Sequence, residues 1–538
     1  MHTPSLRLLA VAVATGLLLI SSPTTHGAVP PNEVPGLTRT IDYFPGAQYD
    51  PAVPSPTAVL GFPVGQRATT PAQIEACLRA WTDAAPDRTR LVEYARSHEG
   101  RPLYYVVVTA PANLVRLEAI QTGLARLGDP RISSDAEAEY LISSLPAVAW
   151  LSYTIHGDET EGSDAALAVL YHAIASTDPD MAKLREDLVI LVDPLMNPDG
   201  RERFVKMIAE HRGTAPNVDD RALVHSGYWP YGRGNHYLFD LNRDWLWAVH
   251  PETRGRLRAV ARWQPVLFVD AHGMGPQETH LFSPPREPIN PNLPAGRATW
   301  GLRFAQDQAR AFDQHGLVYY TGEWHEEWYP GYSDAYASYR GAVGILYEQA
   351  RVAEDGVRRA EGRILSYAES VQHHVIGSLA NLRTAQTNAR ALLRHLRTTR
   401  QEAVSAQGPY ARRTFAVLPS ANASRRRALV ELALIHGFEV FESPGGLTAA
   451  QATNQLGQTV LATNLPPGTL LIPNRQPLGH LLAAAFEFDP RLSDQALDEE
   501  RQELLRQGAS RIYDTTAWNL TMFFGLDALT LAMDLPEG

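Results

Sequence analysis

Four apolar runs constrain this chain more than any other feature: residues 146–155, 188–193, 266–270 and 341–347. Each is short, continuous and rich in aliphatic or aromatic residues, the pattern of a strand buried on both faces. Separated by helical segments, such strands predict a mixed, mostly parallel α/β sheet flanked by helices. Each run also leads into polar residues: His156-Gly157-Asp158-Glu159, Asn197-Pro198-Asp199-Gly200, His272-Gly273 and Glu348. Ligands of open α/β sheets bind beyond the carboxyl ends of the strands, so these polar residues are the first candidates for chemistry.

His156 and Glu159 follow the first run and precede an alanine- and leucine-rich helical stretch at 163–174. A histidine and a carboxylate three residues apart in a strand–turn–helix can both face one divalent ion. His272 follows the third run with a glycine beside it, as His156 does, and is the candidate third ligand. Two histidines and one glutamate leave a fourth zinc position for water, the open arrangement of hydrolytic zinc sites. Nitrogen and oxygen donors without thiolate suit zinc and do not exclude other divalent metals.

The remaining organisation follows from composition. With 538 residues the chain is long enough for two or three domains. Residues 1–28 hold a weakly basic start and an apolar core at 8–20, the pattern of a secretory signal peptide. Residues 29–70 are proline-rich and are expected to wrap the surface. A helix is expected at 71–81, strands at 89–95 and 103–109, and a helix near 113–127. The segment 197–200 reads as a turn, 205–235 as a polar loop and 351–405 as helical. After a break at Gln407-Gly408-Pro409, residues 412–538 read as a smaller α/β domain with a rhythm like flavodoxin-like or glutamine amidotransferase-like folds.

Cys77 is the single cysteine, so an internal disulfide and a cysteine nucleophile in the second domain are both excluded. A formal net charge of −11 with one short basic cluster, Arg425–Arg427, argues against a nucleic-acid partner. No stretch after the first is long and apolar enough for a stable membrane span.

Taken in order, His156-x-x-Glu159, 197–200, Asp240-Leu241-Asn242-Arg243, His272 and Glu348 resemble the motifs of the carboxypeptidase A-like zinc metallocarboxypeptidases, over about residues 75–390. The resemblance implies one zinc ion per chain, held by His156, Glu159 and His272. It also implies Glu348 as general base and acid, and Asn242 and Arg243 as the grip on a peptide's terminal carboxylate. Asp240 would accept the free ring N–H of His156. A mobile tyrosine of the family is matched to Tyr332, chosen from Tyr329, Tyr332, Tyr336 and Tyr339. Independently of family, a planar guanidinium is the best partner for a carboxylate. The developing oxyanion needs a further cation, for which Arg233 between two glycines is the candidate. Asp244, where the family has asparagine, puts a negative charge beside that grip. Asp334 is a candidate for preference toward basic side chains.

The expected activity is that of a secreted or periplasmic, monomeric zinc metallocarboxypeptidase acting on peptides. Two rivals stay open. One is a zinc amidohydrolase or endopeptidase of cell-wall cross-peptides, and the other is a non-catalytic peptide-binding module. His211, His225, His280, His325, His373 and His374 are read as surface or core residues.

Overall fold

Long apolar runs must bury both faces, and the central strands do so completely. The computed structural model describes residues 40–227, 230–512 and 517–535. The expected signal peptide and residues 29–39 lie outside the described residues. One large sheet is built from β1 (Thr89–Arg96), β2 (Pro102–Val108), β3 (Ala147–Tyr153), β4 (Leu188–Asp193), β5 (Leu267–Met274), β6 (His280–Phe282), β7 (Tyr320–Thr321) and β8 (Val343–Ala350), in the order β1-β2-β4-β3-β5-β8-β6-β7. The four central strands pair in parallel, and every residue of β3, β4, β5 and β8 is buried. Antiparallel pairing enters on either side, at β1–β2–β4 and at β8–β6.

Helix α1 (Pro71–Ala84) starts with a capping box between Thr70 and Gln73. Helix α2 (Thr160–Ala175) follows β3 and is buried along its whole length, between α1 on one side and α6 (Tyr367–Thr387) on the other. That explains its alanine- and leucine-rich sequence, since a helix covered all round has no polar face. The proline-rich segment is tied into this body. Thr69 Oγ1 donates to the buried Asp164 of α2 at 2.7 Å, and the Arg201 guanidinium holds the Thr69 carbonyl at 2.7 Å.

Several expectations are corrected. Residues 197–200 are the start of a helix, α3 (Pro198–His211), which runs into the stretch expected as a loop. Asn197 caps it: its side-chain oxygen accepts the Gly200 N–H at 2.9 Å, and Pro198 occupies the first helical position, where it lacks no needed donor. The chemistry of a turn and of a helix cap is shared, hence the misreading. Strand β5 continues through His272 to Met274 instead of ending at Asp270. Residues 351–366 are not helical. Gly356 leads into, and Gly362 turns, a small hairpin of Val357–Arg358 and Ile364–Leu365, both glycines at positive φ. The Ser366–Glu369 capping box then starts α6.

The C-terminal unit keeps the expected alternation of strands and helices but not a flavodoxin-like pairing. Its strands, β9 (Thr414–Val417), β10 (Phe441–Glu442), β11 (Leu447–Asn454), β12 (Thr459–Leu465), β13 (Leu470–Pro473) and β14 (Ala528–Leu531), lie in the order β10-β13-β9-β14-β11-β12, and every pairing is antiparallel. The hairpin β11–β12 was missed because its strands carry mainly polar and small residues on an exposed surface. One continuous hydrophobic core joins this unit to the larger body. At the junction His436 is fully buried. Its ring lies 2.9 Å from both the Tyr336 hydroxyl and the Leu246 carbonyl, so Nε2 carries the proton and Nδ1 accepts.

Two tests follow. Asn197→Ala removes the cap and strands buried donors and acceptors, and chemical denaturation should record a loss of about 2–4 kcal/mol. Burial holds the His436 imidazole down to about 4, so it is neutral in the folded state. The unfolded chain takes up this proton first, near the ordinary histidine value of about 6.5. Stability from this group is therefore complete above that pH and drains away as pH falls toward 4, on the order of 3 kcal/mol in all. The denaturation midpoint should fall with acid across that window in the native chain and fall less in His436→Gln.

Candidate metal centre

The turn after β3 is built for close approach. Thr154 adopts φ +56°, a left-handed conformation costing a non-glycine residue about 1–3 kcal/mol. It is held by its hydroxyl, which donates to the Glu159 carbonyl at 3.2 Å and accepts from Ser163 at 2.9 Å. A Cβ on Gly157 would come within 2.1 Å of the Arg201 nitrogen, and one on Gly200 within 2.3 Å of the Gly232 carbonyl. Three backbones thus touch without side chains between them. Asn197 ties them: its Nδ2 donates to the Ile155 and Arg233 carbonyls, each at 3.1 Å.

This turn brings His156 and Glu159 against His272. The Nδ1 atoms of the two histidines are 3.3 Å apart, Glu159 Oε1 is 2.8 Å from His156 Nδ1, and Glu159 Oε2 is 3.3 Å from His272 Nδ1. Zinc bonds of about 2.0–2.1 Å in a tetrahedron set neighbouring ligand atoms about 3.3 Å apart. The donor set and spacing fit zinc. Each outer ring nitrogen meets a carboxylate: His156 Nε2 lies 2.9 Å from Asp240 Oδ1, and His272 Nε2 lies 2.5 Å from Asp270 Oδ2. Such partners fix the tautomer that leaves Nδ1 free for a metal. Asp270 was missed from the sequence, although residues two apart in a strand share a face and Asp270 precedes His272 by two.

A cavity of about 410 Å³ opens over the ligands and is lined by His156, Glu159, Arg233, Asn242, Arg243, His272, Tyr332 and Glu348. The site residues expected from the sequence meet here, with Asp240 behind His156. Glu348 is the in-register neighbour of His272 on β8. Burial, opposed by the imidazole of His272 and reinforced by the charge of Glu159, raises its carboxyl to about 7. Arg233 Nη1 is 3.3 Å from His156 Nδ1, and its Nη2 is 2.9 Å from Asp240 Oδ2. The Arg243 guanidinium lies over the Tyr332 ring, 4.8 Å from its centroid. Tyr332 is itself buried in the wall, its hydroxyl donating to Glu326 at 3.1 Å. The Asn242 oxygen accepts the Ser333 N–H at 2.9 Å.

Asp244 turns from the cleft. It accepts the N–H groups of Val249 and His250 at 2.9 and 3.1 Å, is fully buried, and is raised by that burial to about 7. Asp334 lines the cavity, as does His325, a correction to its reading as surface or core. The pair lies 3.4 Å apart, and burial lowers His325 to about 3, so it faces Asp334 uncharged. Arg351 and Asp158, also lining residues, contact each other. No sequence signal joins positions so far apart.

Residues 74–275 match the zinc carboxypeptidase family, Peptidase M14. This stretch is a zinc carboxypeptidase family domain. It contains all three candidate ligands with Asn242 and Arg243, and ends before Glu348. The zinc carboxypeptidase region also has curated relatives. The protein named probable carboxypeptidase 2 from Trichophyton verrucosum is 29% identical over 147 residues, covering 27% of this chain and 23% of that protein. Carboxypeptidase 2 from Trichophyton rubrum is 27% identical over 147 residues, covering 26% and 22%. The chain thus matches under a quarter of the length of these relatives. Among solved structures, a metallo-carboxypeptidase from Burkholderia cenocepacia is 16% identical over 58% of this chain and 69% of its own, with a TM-score of 0.39. Carboxypeptidase A from Helicoverpa armigera is 17% identical over 60% and 75%, also with a TM-score of 0.39.

Replacing Asp270 by Asn should weaken zinc binding about 10–100-fold, because the His272 ring loses its charged partner. Competition with a chromophoric chelator measures this directly.

Proposed function

We propose that this chain is a secreted zinc metallocarboxypeptidase that removes the carboxy-terminal residue of peptides as a monomer. The observation that supports this most is the meeting, in one cleft, of three ligand side chains with Glu348 and a carboxylate-binding pair. When bound, zinc would polarise the scissile carbonyl and acidify a water molecule. The protein residues do the rest. Glu348, poised near neutrality by burial, takes a proton from the attacking water and passes it to the leaving amine. Arg243, with Asn242, holds the substrate's free carboxylate in the charged fork geometry that a guanidinium favours. Arg233, at the edge of the ligand cluster, faces the charge that grows on the carbonyl oxygen. Asp240 and Asp270 keep the ligand imidazoles in one tautomer. Tyr332 orders the Arg243 side chain from below.

Asp244 lends no support to the rival amidohydrolase, since its carboxylate is occupied by backbone N–H groups on the far side of the loop. Export rests on the apolar run at 8–20.

The decisive experiment compares peptides with free and amidated carboxyl ends, read by mass, with and without chelator. Chelator-sensitive loss of single residues from free ends alone is expected, and Glu348→Gln should lower kcat by about 10²–10⁴ while retaining metal. Cleavage of amidated peptides would instead favour an amidohydrolase or endopeptidase.

A further inference from the structure

Outside the cleft, a second group of histidines and a carboxylate meets where the β1–β2 turn crosses helix α4 (Pro251–Trp263). His98 comes from the turn, His250 caps the helix and Glu252 lies in its first turn. His98 Nε2 is 3.0 Å from His250 Nδ1 and 4.0 Å from Glu252 Oε2. One ligand atom from each of the three falls within 4.8 Å of the others.

The side chain of His98 is 25% exposed, whereas that of Glu252 is 1% exposed. The group is therefore closed at its base and open on one side, so an ion can enter. Among the described residues, neither Glu252 oxygen and not His250 Nε2 finds a hydrogen-bond partner. His250 Nδ1 faces both His98 Nε2 and the donating Asn235 Nδ2 at 3.0 Å, and neither contact gives the buried carboxylate a side-chain donor. A buried carboxylate with no partner is costly, and paired charges or metals are the usual remedy. The amino end of α4 disfavours a cation, and Glu252 in its first turn offsets that field.

We propose that His98, His250 and Glu252 bind a second divalent ion of the zinc, cobalt or nickel class, separate from the ion of the cleft. Two imidazole nitrogens and a carboxylate oxygen are the donors these metals accept. The bound ion clamps three pieces of chain. His250 Nδ1 lies 3.0 Å from the Asn235 amide, the Phe239 ring packs 4.6 Å from the His250 ring, and the His250 N–H donates to Asp244. Asn235, Phe239 and Asp244 belong to the loop that presents Arg233, Asp240, Asn242 and Arg243. The ion acts as a brace for this loop and touches no reacting atom. The proposal is independent of the peptidase reading.

The full chain, stripped by chelator and desalted, is titrated with Zn²⁺ alone by calorimetry, and bound metal is counted by mass spectrometry. The native chain should bind two equivalents. Glu252→Gln and His98→Ala should each bind one, His156→Ala should also bind one, and Glu252→Gln with His156→Ala none. Thermal melts should show one zinc-dependent increment in His156→Ala and none once Glu252→Gln is added. His98, on a partly exposed turn, keeps the test open if the helix variant does not fold. One equivalent in the native chain overturns the proposal. So does a second equivalent that survives both substitutions, which would assign the ion elsewhere, such as to His325, Glu327 and Asp334.

Discussion

The cleft depends on backbone touching backbone at Gly157, Gly200 and Gly232. Any side chain at Gly157 or Gly200 would collide with main-chain atoms that have no room to move. Because the three loops meet without spacers, His156 and Arg233 come within 3.3 Å of each other although they stand on separate segments. Asn197 spends its whole amide on the same junction, capping α3 with its oxygen and holding two carbonyls with its nitrogen. Glycine here is required by contact distance, not by backbone angle, and the buried amide converts that contact into a fixed geometry.

Fixed geometry then sets the electrostatics. The parallel strands put His272 and Glu348 side by side at the edge of a dry core, where a carboxylate loses its hydration. That loss pushes Glu348 toward neutrality, the range in which a proton acceptor is also a useful donor. The opposite treatment is given to Asp240, whose charge is held by His156, Arg233 and Arg243 against the pull of burial. Two carboxylates within one site therefore shift in opposite directions because their neighbours differ.

Much of this was legible in the residues. Strands buried on both faces write themselves as unbroken apolar runs, and the polar residues at their ends are conspicuous against that background. The candidate ligands and Glu348 stand out in this way, the Asn242–Arg243 pair through the resemblance to a known family, and all of them meet in one cavity. What escaped was contact that has no local pattern. Arg351 and Asp158 are 193 residues apart in sequence and touch past one intervening strand, β5, and His325 reaches the cavity from a loop whose sequence carries no periodic signal. The antiparallel C-terminal sheet escaped for a related reason. Its edge hairpin is largely exposed, burying only Ala449, Ala452 and Leu465, so small and polar residues suffice, and strand direction is not encoded in composition.

That C-terminal unit has no cysteine nucleophile, yet it reaches the loops that line the cavity of the larger body. Trp518 packs against Trp328 and Tyr329, with ring centroids 5.8 and 5.7 Å apart, and Phe523 packs on Trp247 at 4.4 Å. Tyr329 in turn donates its hydroxyl to the carbonyl of Arg243 at 2.9 Å. A chain of packed rings thus runs from the second unit to the backbone of the residue that holds the substrate carboxylate in the proposed reaction. Aromatic contacts of this kind add about 0.5–1.5 kcal/mol each beyond their buried area, and their shape fixes the rings they touch. The position of Arg243 is consequently set from both sides: by Tyr332 beneath its guanidinium, and by Tyr329 with the C-terminal rings behind its main chain.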